Sequence, residues 1–236
     1  MRNAAAEEMK RALVRTAFSP IIYEVLDFAA ALYDRDVCML AQAASLPTFM
    51  GTMSFCVAAA VEAVGGEEAL APGDIILYNV PYGTGSHPQD VAMVMPVHAC
   101  GELVGYAAIK AHWLDIGGKD PYSTDTVDVF QEGTIFPGVK LYDRGELNEA
   151  ILRFVTANSR VPKMVAGDVN ATVVGVRTGA ARTMSWGWLI VPRVVGPGRS
   201  EQAERDRPRR KGRGTVARLL HHMGPPPLLL GRGRED

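Results

Sequence analysis

The chain has 236 residues, of which 47% are hydrophobic and 22% charged, a balance typical of a globular domain with a sizeable core. No apolar run reaches the roughly 18 residues of a membrane-spanning helix, and the N-terminus lacks the apolar segment of a secretory signal, so no membrane partner is expected. The three cysteines form no CxxC pair and no even set, which favours a reducing, cytoplasmic location over a disulfide framework.

The formal charge is divided unevenly along the chain. Residues 1–182 sum to −7 and residues 183–236 to +6, which together give the net −1. The second segment is rich in Arg, Gly and Pro and has neither helical nor strand periodicity. A basic arm can bind nucleic acid, but this one has no aromatic residue after Trp188 on which bases would stack. We therefore expect a folded domain over 1–182 and a tail over 183–236 that is disordered or read out of frame, with no nucleic-acid partner.

The first half of the chain predicts two helices and three strands. Residues 3–17 have apolar positions at helical spacing. Residues 28–42 read as a β-hairpin, because two apolar runs flank Asp34-Arg35-Asp36. Residues 51–64 suit a buried helix that Gly65-Gly66 ends, and the Pro-Gly turn that follows leads into the buried strand of APGDIILYNV. Helices and hairpins thus alternate from the start.

The middle of the chain predicts a second hairpin, from Val91–His98 and Leu103–His112. Between them, Ala99-Cys100-Gly101 suits a three-residue loop whose last residue has φ > 0. With that loop, His98 pairs with Glu102 and Pro88 with His112.

This register has a consequence for polar residues at the open end of the hairpin. Asp90 and His112 lie diagonally on one face of the sheet, within reach of each other, and His87 lies in the preceding loop. A one-residue change of register would move His112 to the opposite face.

The remainder predicts a long Gly-, Asp- and Thr-rich loop over 115–138, a short strand at Val139–Tyr142 and a helix at Glu146–Asn158. The elements together predict a mixed α/β (α+β) fold, in which a mixed sheet with β-hairpins is flanked by helices.

His87, Asp90 and His112 are candidate metal ligands. Two imidazoles and one carboxylate suit a divalent ion such as Zn, Mn or Fe(II), with coordination positions left for water or substrate. An alternative needs no metal: Asp90 caps the loop by accepting backbone N–H bonds, and His112 is a hydrogen-bonded residue at a strand end. The spacing alone leaves both interpretations open.

Three carboxylates in the long loop are further candidates. Asp115 and Asp120 follow His112 closely enough to orient an imidazole, and Glu132 is a candidate general base. Each is also explained as an ordinary solvated loop acid. The chain has neither GxxxxGK[ST] nor a strand followed by GxGxxG, so it has no recognisable nucleotide site of its own.

A series of motifs resembles one protein family. RTAFSPIIYEVLDFAAALYD, PGDIILYNVPYGTGSHPQD, AHWLDIGG, FQEGTIFPGVKL and GDVNA occur in that order within about residues 3–176. The series resembles the hydantoinase B/5-oxoprolinase family, which includes N-methylhydantoinase B and the corresponding subunits of acetone and acetophenone carboxylases. Its members are usually more than twice as long, so the resemblance implies an N-terminal fragment.

The resemblance implies a role for the chain. In this family ATP is held by a hydantoinase A-like subunit, which activates the substrate, and the B-type subunit contributes a metal-containing site. The family's metal ligands correspond to His87, Asp90 and His112. Asp115 and Glu132, chosen from the residues and not from the family, are the catalytic candidates. The implied activity is ATP-dependent hydrolysis of a cyclic amide by a heteromer. Carboxylation of a ketone, or an inactive truncated fragment, is the alternative.

Departures from the family pattern concern the substrate more than the metal. Val80 stands where the family commonly has the Asp of NDPY, and Trp113 where a second His often follows the ligand. Thr48-Phe49-Met50-Gly51 replaces a common HLG stretch.

Overall fold

The computed structural model describes residues 2–82, 84, 86–121 and 124–185, so the predicted tail lies almost entirely outside the described residues. A seven-stranded sheet runs through this region in the order β2-β1-β5-β4-β3-β6-β7. Its strands are β1 (Phe28–Asp34), β2 (Met39–Gln42), β3 (Ile75–Tyr78), β4 (Asp90–Ala99), β5 (Glu102–His112), β6 (Pro137–Asp143) and β7 (Glu146–Leu147). The α+β class with hairpins and flanking helices is confirmed. We expected a mixed sheet, but the sheet is antiparallel: each pair of neighbouring strands runs in opposite directions.

The described helices are α1 (Arg2–Thr16), α2 (Pro20–Tyr23), α3 (Pro47–Ala63), α4 (Glu149–Ala157) and α5 (Pro162–Ser185). The first predicted helix is confirmed, and α3 begins four residues before its predicted start because Pro47 occupies its first turn, where proline is tolerated. The helix predicted from Glu146 begins later, at Glu149, after Asn148 caps it by accepting a bond from the Ile151 N–H. Within the described residues, no helix has the length and hydropathy to span a membrane.

Both faces of the sheet are buried, which explains why its central strands are almost continuously apolar. Successive side chains of a strand point to opposite faces, so Leu32 and Ile109 contact the layer of α1 and α5, while Tyr33 and Ala108 contact α3. Asp90 and His112 belong to the α3 face by the same alternation. Asp90 and His112 therefore lie at the ends of two central strands, where packing of the sheet on both faces fixes their backbone.

Close packing of α5 against β5 and α1 depends on glycines in α5. A Cβ at Gly175 would lie 2.4 Å from Ile109 Cδ1, and one at Gly179 would lie 2.5 Å from Met9 Sδ. Glycine and β-branched residues weaken helix propensity, which is why residues 162–185 gave no helix prediction. Tertiary packing overrides that weakness here.

The central hairpin forms as predicted, but its turn and register differ. The turn has two residues, Cys100 and Gly101, with φ of 52° and 84°, and joins Ala99 to Glu102. An extra residue on β5 beyond the turn, Val104, then shifts the register again. Beyond Val104 the two shifts amount to two residues, an even number that keeps those side chains on their predicted faces, whereas between the turn and Val104 the shift is one residue. Asp90 is therefore directly opposite His112 rather than diagonal to it.

Candidate metal centre and adjoining cleft

The three predicted metal ligands converge at the open end of the β4–β5 hairpin. Asp90 is the first residue of β4 and His112 the last of β5, and both side chains are buried. His87 lies in the turn that leads into β4, where its carbonyl accepts a hydrogen bond from the Asp90 N–H at 3.1 Å. The His87 side chain is about half exposed. Two ligands thus come from the rigid sheet and one from the loop above it.

The geometry of the trio fits a divalent ion. Asp90 Oδ1 lies 3.2 Å from His112 Nδ1 and 3.4 Å from His87 Nδ1, and the three ligand atoms all lie within 4.8 Å of one another. An ion about 2.1 Å from each ligand would hold neighbouring ligand atoms roughly 3.0–3.4 Å apart. The same contacts also agree with the alternative of a hydrogen-bonded turn without metal, in which the Asp90 carboxylate accepts a hydrogen bond from an imidazole N–H. The donor set and the two distances from Asp90 fit the ion, and its presence stays a prediction.

A fourth polar residue, Asp27, borders the trio and was not singled out from the sequence. Its Oδ2 lies 3.9 Å from His112 Nδ1, and its backbone carbonyl accepts a hydrogen bond from the His112 N–H at 3.0 Å. Burial raises the pKa of Asp27; nearby His112 and His87 oppose that rise, and Asp90 adds to it. The signal in the sequence is an Asp just before β1, which becomes informative only once β1 is known to pair with β5.

The loop that carries His87 is held by Asn79. Its Nδ2 donates to the carbonyls of Pro88 (2.7 Å) and Thr134 (2.9 Å), and its Oδ1 accepts from the Phe136 N–H. Asn79 is nearly fully buried, and its side chain makes the contacts that fix this loop against the segment before β6.

His87 opens onto a cleft of about 600 Å³. Its described lining consists of Pro81, Tyr82, Ser86, His87, residues 126–129 and Glu132. The cleft is of a size that suits a small organic ligand. Glu132 and His87 thus share one cavity, and Thr126 Oγ1 lies 3.4 Å from Glu132 Oε1.

Asp115 lies outside the described cleft lining, and its buried carboxylate is hydrogen-bonded to a neighbouring loop and to the half-exposed Arg160. Its Oδ1 accepts from the Gly117 N–H (3.1 Å) and from Arg160 Nη1 (2.9 Å), and its Oδ2 accepts from the Arg160 N–H. The clamped loop packs directly on the segment of Glu132: a Cβ at Gly118 would lie 2.7 Å from the Glu132 carbonyl oxygen. Asp115 is therefore connected to Glu132 through the backbone.

The remaining polar candidates lie elsewhere. Asp120 is exposed in the loop. Lys110 shares the face of His112 but is buried under α3, where its Nζ lies 3.4 Å from both Thr52 Oγ1 and Cys56 Sγ. Burial raises the pKa of the Cys56 thiol, with Lys110 opposing the rise. Cys56 is thus a core thiol, as its sequence position indicates.

Comparisons with known proteins agree with the motifs. Residues 2–186 match the model of the family described as hydantoinase B/oxoprolinase. The B-type subunit of a putative D-/L-hydantoinase from Pseudomonas sp. (strain NS671) is 36% identical over 182 residues, which cover 75% of this chain and 31% of that protein. The chain thus spans about a third of the length of this relative.

Two solved structures share the fold. The ATP-dependent caprolactamase from Pseudomonas jessenii superposes with a TM-score of 0.72 at 28% identity, over 81% of this chain and 33% of that one. Nucleotide-free acetone carboxylase also gives a TM-score of 0.72, at 20% identity, over 79% of this chain and 25% of that one.

Proposed function

Since this chain belongs to the hydantoinase B/oxoprolinase family, we propose that it supplies the metal-binding part of a B-type subunit in an ATP-dependent enzyme that hydrolyses cyclic amides. In that reaction the ring C–N bond breaks, one water provides a hydroxyl to the carbonyl carbon and a proton to the nitrogen, and ATP with a second water is converted to ADP and phosphate. Two relatives are named for reactions on cyclic amides, one as part of a hydantoinase and one as a caprolactamase.

The convergence of His87, Asp90 and His112 carries the proposal. Three ligand atoms from two strand ends and one loop lie within 4.8 Å, beside a cleft large enough for a small ring. A bound Mn, Zn or Fe ion would supply Lewis-acid polarisation of a carbonyl oxygen or a lowered pKa for water. Asp27, next to His112, is proposed to hold the imidazole in place and to add negative charge that favours a cation.

Glu132 is proposed as the general base, because its carboxylate lines the same cleft as His87. Asp115 is proposed to act indirectly. By holding Arg160 and the Gly117–Gly118 loop, it fixes the backbone against which the Glu132 segment packs. The two candidate catalytic carboxylates would then have different tasks, proton transfer for Glu132 and positioning for Asp115.

The partner is proposed to be a hydantoinase A-like subunit that uses ATP. The Pseudomonas sp. relative is named as one subunit of its hydantoinase, which supports the expectation of a second, different chain. The likeness to acetone carboxylase, at 20% identity, concerns the fold alone and adds no support for ketone carboxylation.

The test is reconstitution with an A-type subunit. We expect ATP-dependent appearance of a ring-opened amino acid, and loss of that product in the Asp90→Asn variant while the far-UV circular dichroism stays unchanged. ATP-independent turnover would reject the mechanism. Absence of turnover from a folded, metal-loaded complex would favour the inactive-fragment alternative.

A further inference from the structure

The charged residues that line the cleft beside the metal centre are acidic. Of the described residues that line it, Asp128 and Glu132 carry carboxylates, and none is a lysine or an arginine. The metal centre next to it adds the carboxylates of Asp90 and Asp27. A divalent ion would offset only half of these four negative charges.

Three basic residues of neighbouring segments are engaged in other contacts. Lys119 Nζ pairs with Asp125 at 2.5 Å, and Arg160 is held by Asp115 and by the Gly118 carbonyl. Lys110 lies under α3. Among the described residues that line the cleft, none offers an ammonium or guanidinium group to a ligand carboxylate.

The rim of the cleft is apolar and exposed. Tyr82 is 52% exposed and Val127 is 83% exposed, and both belong to the lining. Such side chains bind the carbon skeleton of a small ring by apolar contact, without requiring a charge on it.

We infer that the cyclic amide recognised here carries no carboxylate: it is a neutral ring, such as a simple lactam, rather than a ring acid of the 5-oxoproline type. The inference rests on the proposed function, since it names the substrate class of that same site. Its physical basis is electrostatic complementarity. Among the described residues no cationic side chain lines this cleft, so a ligand carboxylate would meet like charges and would compete with the amide carbonyl for the open positions of a bound ion.

A matched pair of ligands tests this directly. 2-Pyrrolidinone and 5-oxoproline share a five-membered lactam ring and differ by one carboxylate. Binding of each to the Mn²⁺-loaded chain is measured by ligand-observed NMR titration at low salt. We expect 2-pyrrolidinone to bind at least about 10-fold more tightly, and the gap to narrow with added salt. Equal or tighter binding of 5-oxoproline overturns the inference, as does failure of both rings to bind.

A charge introduced at the rim provides a second test, at a residue that is neither a metal ligand nor the proposed base. Val127→Gln is the neutral reference, and it is expected to weaken binding of both rings equally, because it removes the same apolar contact from each. Relative to Val127→Gln, Val127→Lys is expected to tighten 5-oxoproline binding by about 10-fold and to change 2-pyrrolidinone binding by less than about 2-fold. If Val127→Lys leaves the preference unaltered, charge does not determine selection and the inference fails.

Turnover separates this inference from the proposed function. If the reconstituted complex hydrolyses neither ring with ATP, the proposed function fails, while the binding preference still decides which ring the cleft selects. If it hydrolyses 5-oxoproline better than 2-pyrrolidinone, the proposed function holds and the inference is wrong.

Discussion

Asp90 and His112 are directly paired across the β4–β5 ladder, with Asp90 Oδ1 3.2 Å from His112 Nδ1 and both side chains buried. A cross-strand pair of this kind is held by the backbone of two central strands rather than by a loop. The site therefore has one rigid side, and its exposed member, His87, provides the side that faces the cleft.

Metal binding should depend on this pair. We expect Asp90→Asn to lower the affinity for Mn²⁺ or Zn²⁺ by more than about 100-fold, because it removes the charged ligand between the two imidazoles. Calorimetry and elemental analysis of the purified protein measure this. His98→Ala, which changes a histidine at the far end of β4, is the control and should retain full metal content. Equal affinity in Asp90→Asn and wild type would favour the hydrogen-bonded turn.

Metal should also stabilise the fold. An ion that binds only the folded state adds about 2.7 kcal/mol when its concentration is 100 times Kd, which for a domain of this size raises Tm by roughly 5–10 °C. Differential scanning calorimetry before and after chelation measures the shift. A Tm that does not respond to metal in wild type would contradict a folded-state site.

Asp27 should contribute to the same site. Asp27→Asn is expected to weaken metal binding by about 10–100-fold, since residues that orient a ligand typically contribute that much. The matched control is Asp143→Asn, an exposed acid on β6. If both substitutions change the affinity equally, the effect is one of net charge and Asp27 has no specific role.

The space around two helix glycines, Gly175 in α5 and Gly51 in α3, predicts opposite effects when each is replaced by alanine. Gly175→Ala should destabilise the protein by about 1–3 kcal/mol, because its Cβ would overlap Ile109. Gly51→Ala, in α3, should be neutral or stabilising by up to about 1 kcal/mol, because nothing lies within 4 Å of its Cβ. Urea unfolding of both variants measures the difference, and a stabilising Gly175→Ala would show that α5 packs less closely on Ile109 of β5.

A pH dependence is expected from Asp168, whose Oδ1 accepts from the Phe18 and Ser19 N–H groups. Burial raises its pKa above the ordinary value of 3.8, although these two bonds oppose the rise. The folded state therefore holds this proton more tightly than the unfolded chain. The resulting stabilisation is complete below about pH 3.8 and is lost as pH rises through the folded pKa.

Asp168→Asn carries no charge at any pH, so its stability relative to wild type should increase between pH 4 and pH 7. Tm measured at several pH values in that range checks the slope. Asp168→Ala, which also removes the acceptor, should cost about 1–3 kcal/mol and is the control for the hydrogen bonds. If the Tm difference between Asp168→Asn and wild type does not change with pH, the pKa of Asp168 is the same in the folded and unfolded states.

Local patterns predicted the elements better than their connections. The hairpin face of Asp90 and His112 was predictable because side chains alternate strictly, and an error of two residues in register preserves that alternation. The two-residue turn and the extra residue Val104 were not, since several loop geometries suit Ala99-Cys100-Gly101. Asp27 was missed because its place beside His112 depends on the pairing of β1 with β5, which no local signal encodes.

The same pairing gives the candidate site an order of assembly. The β4–β5 turn joins Ala99 to Glu102, whereas the β1–β5 ladder joins Phe28 to Ala111, so hairpin closure is fast and β1 docking is slow. An ion bound to the hairpin alone would order its open end, at Asp90 and His112. Less conformational entropy would then be lost when β1 pairs with β5. Metal present during refolding should therefore accelerate folding itself, and not merely slow unfolding.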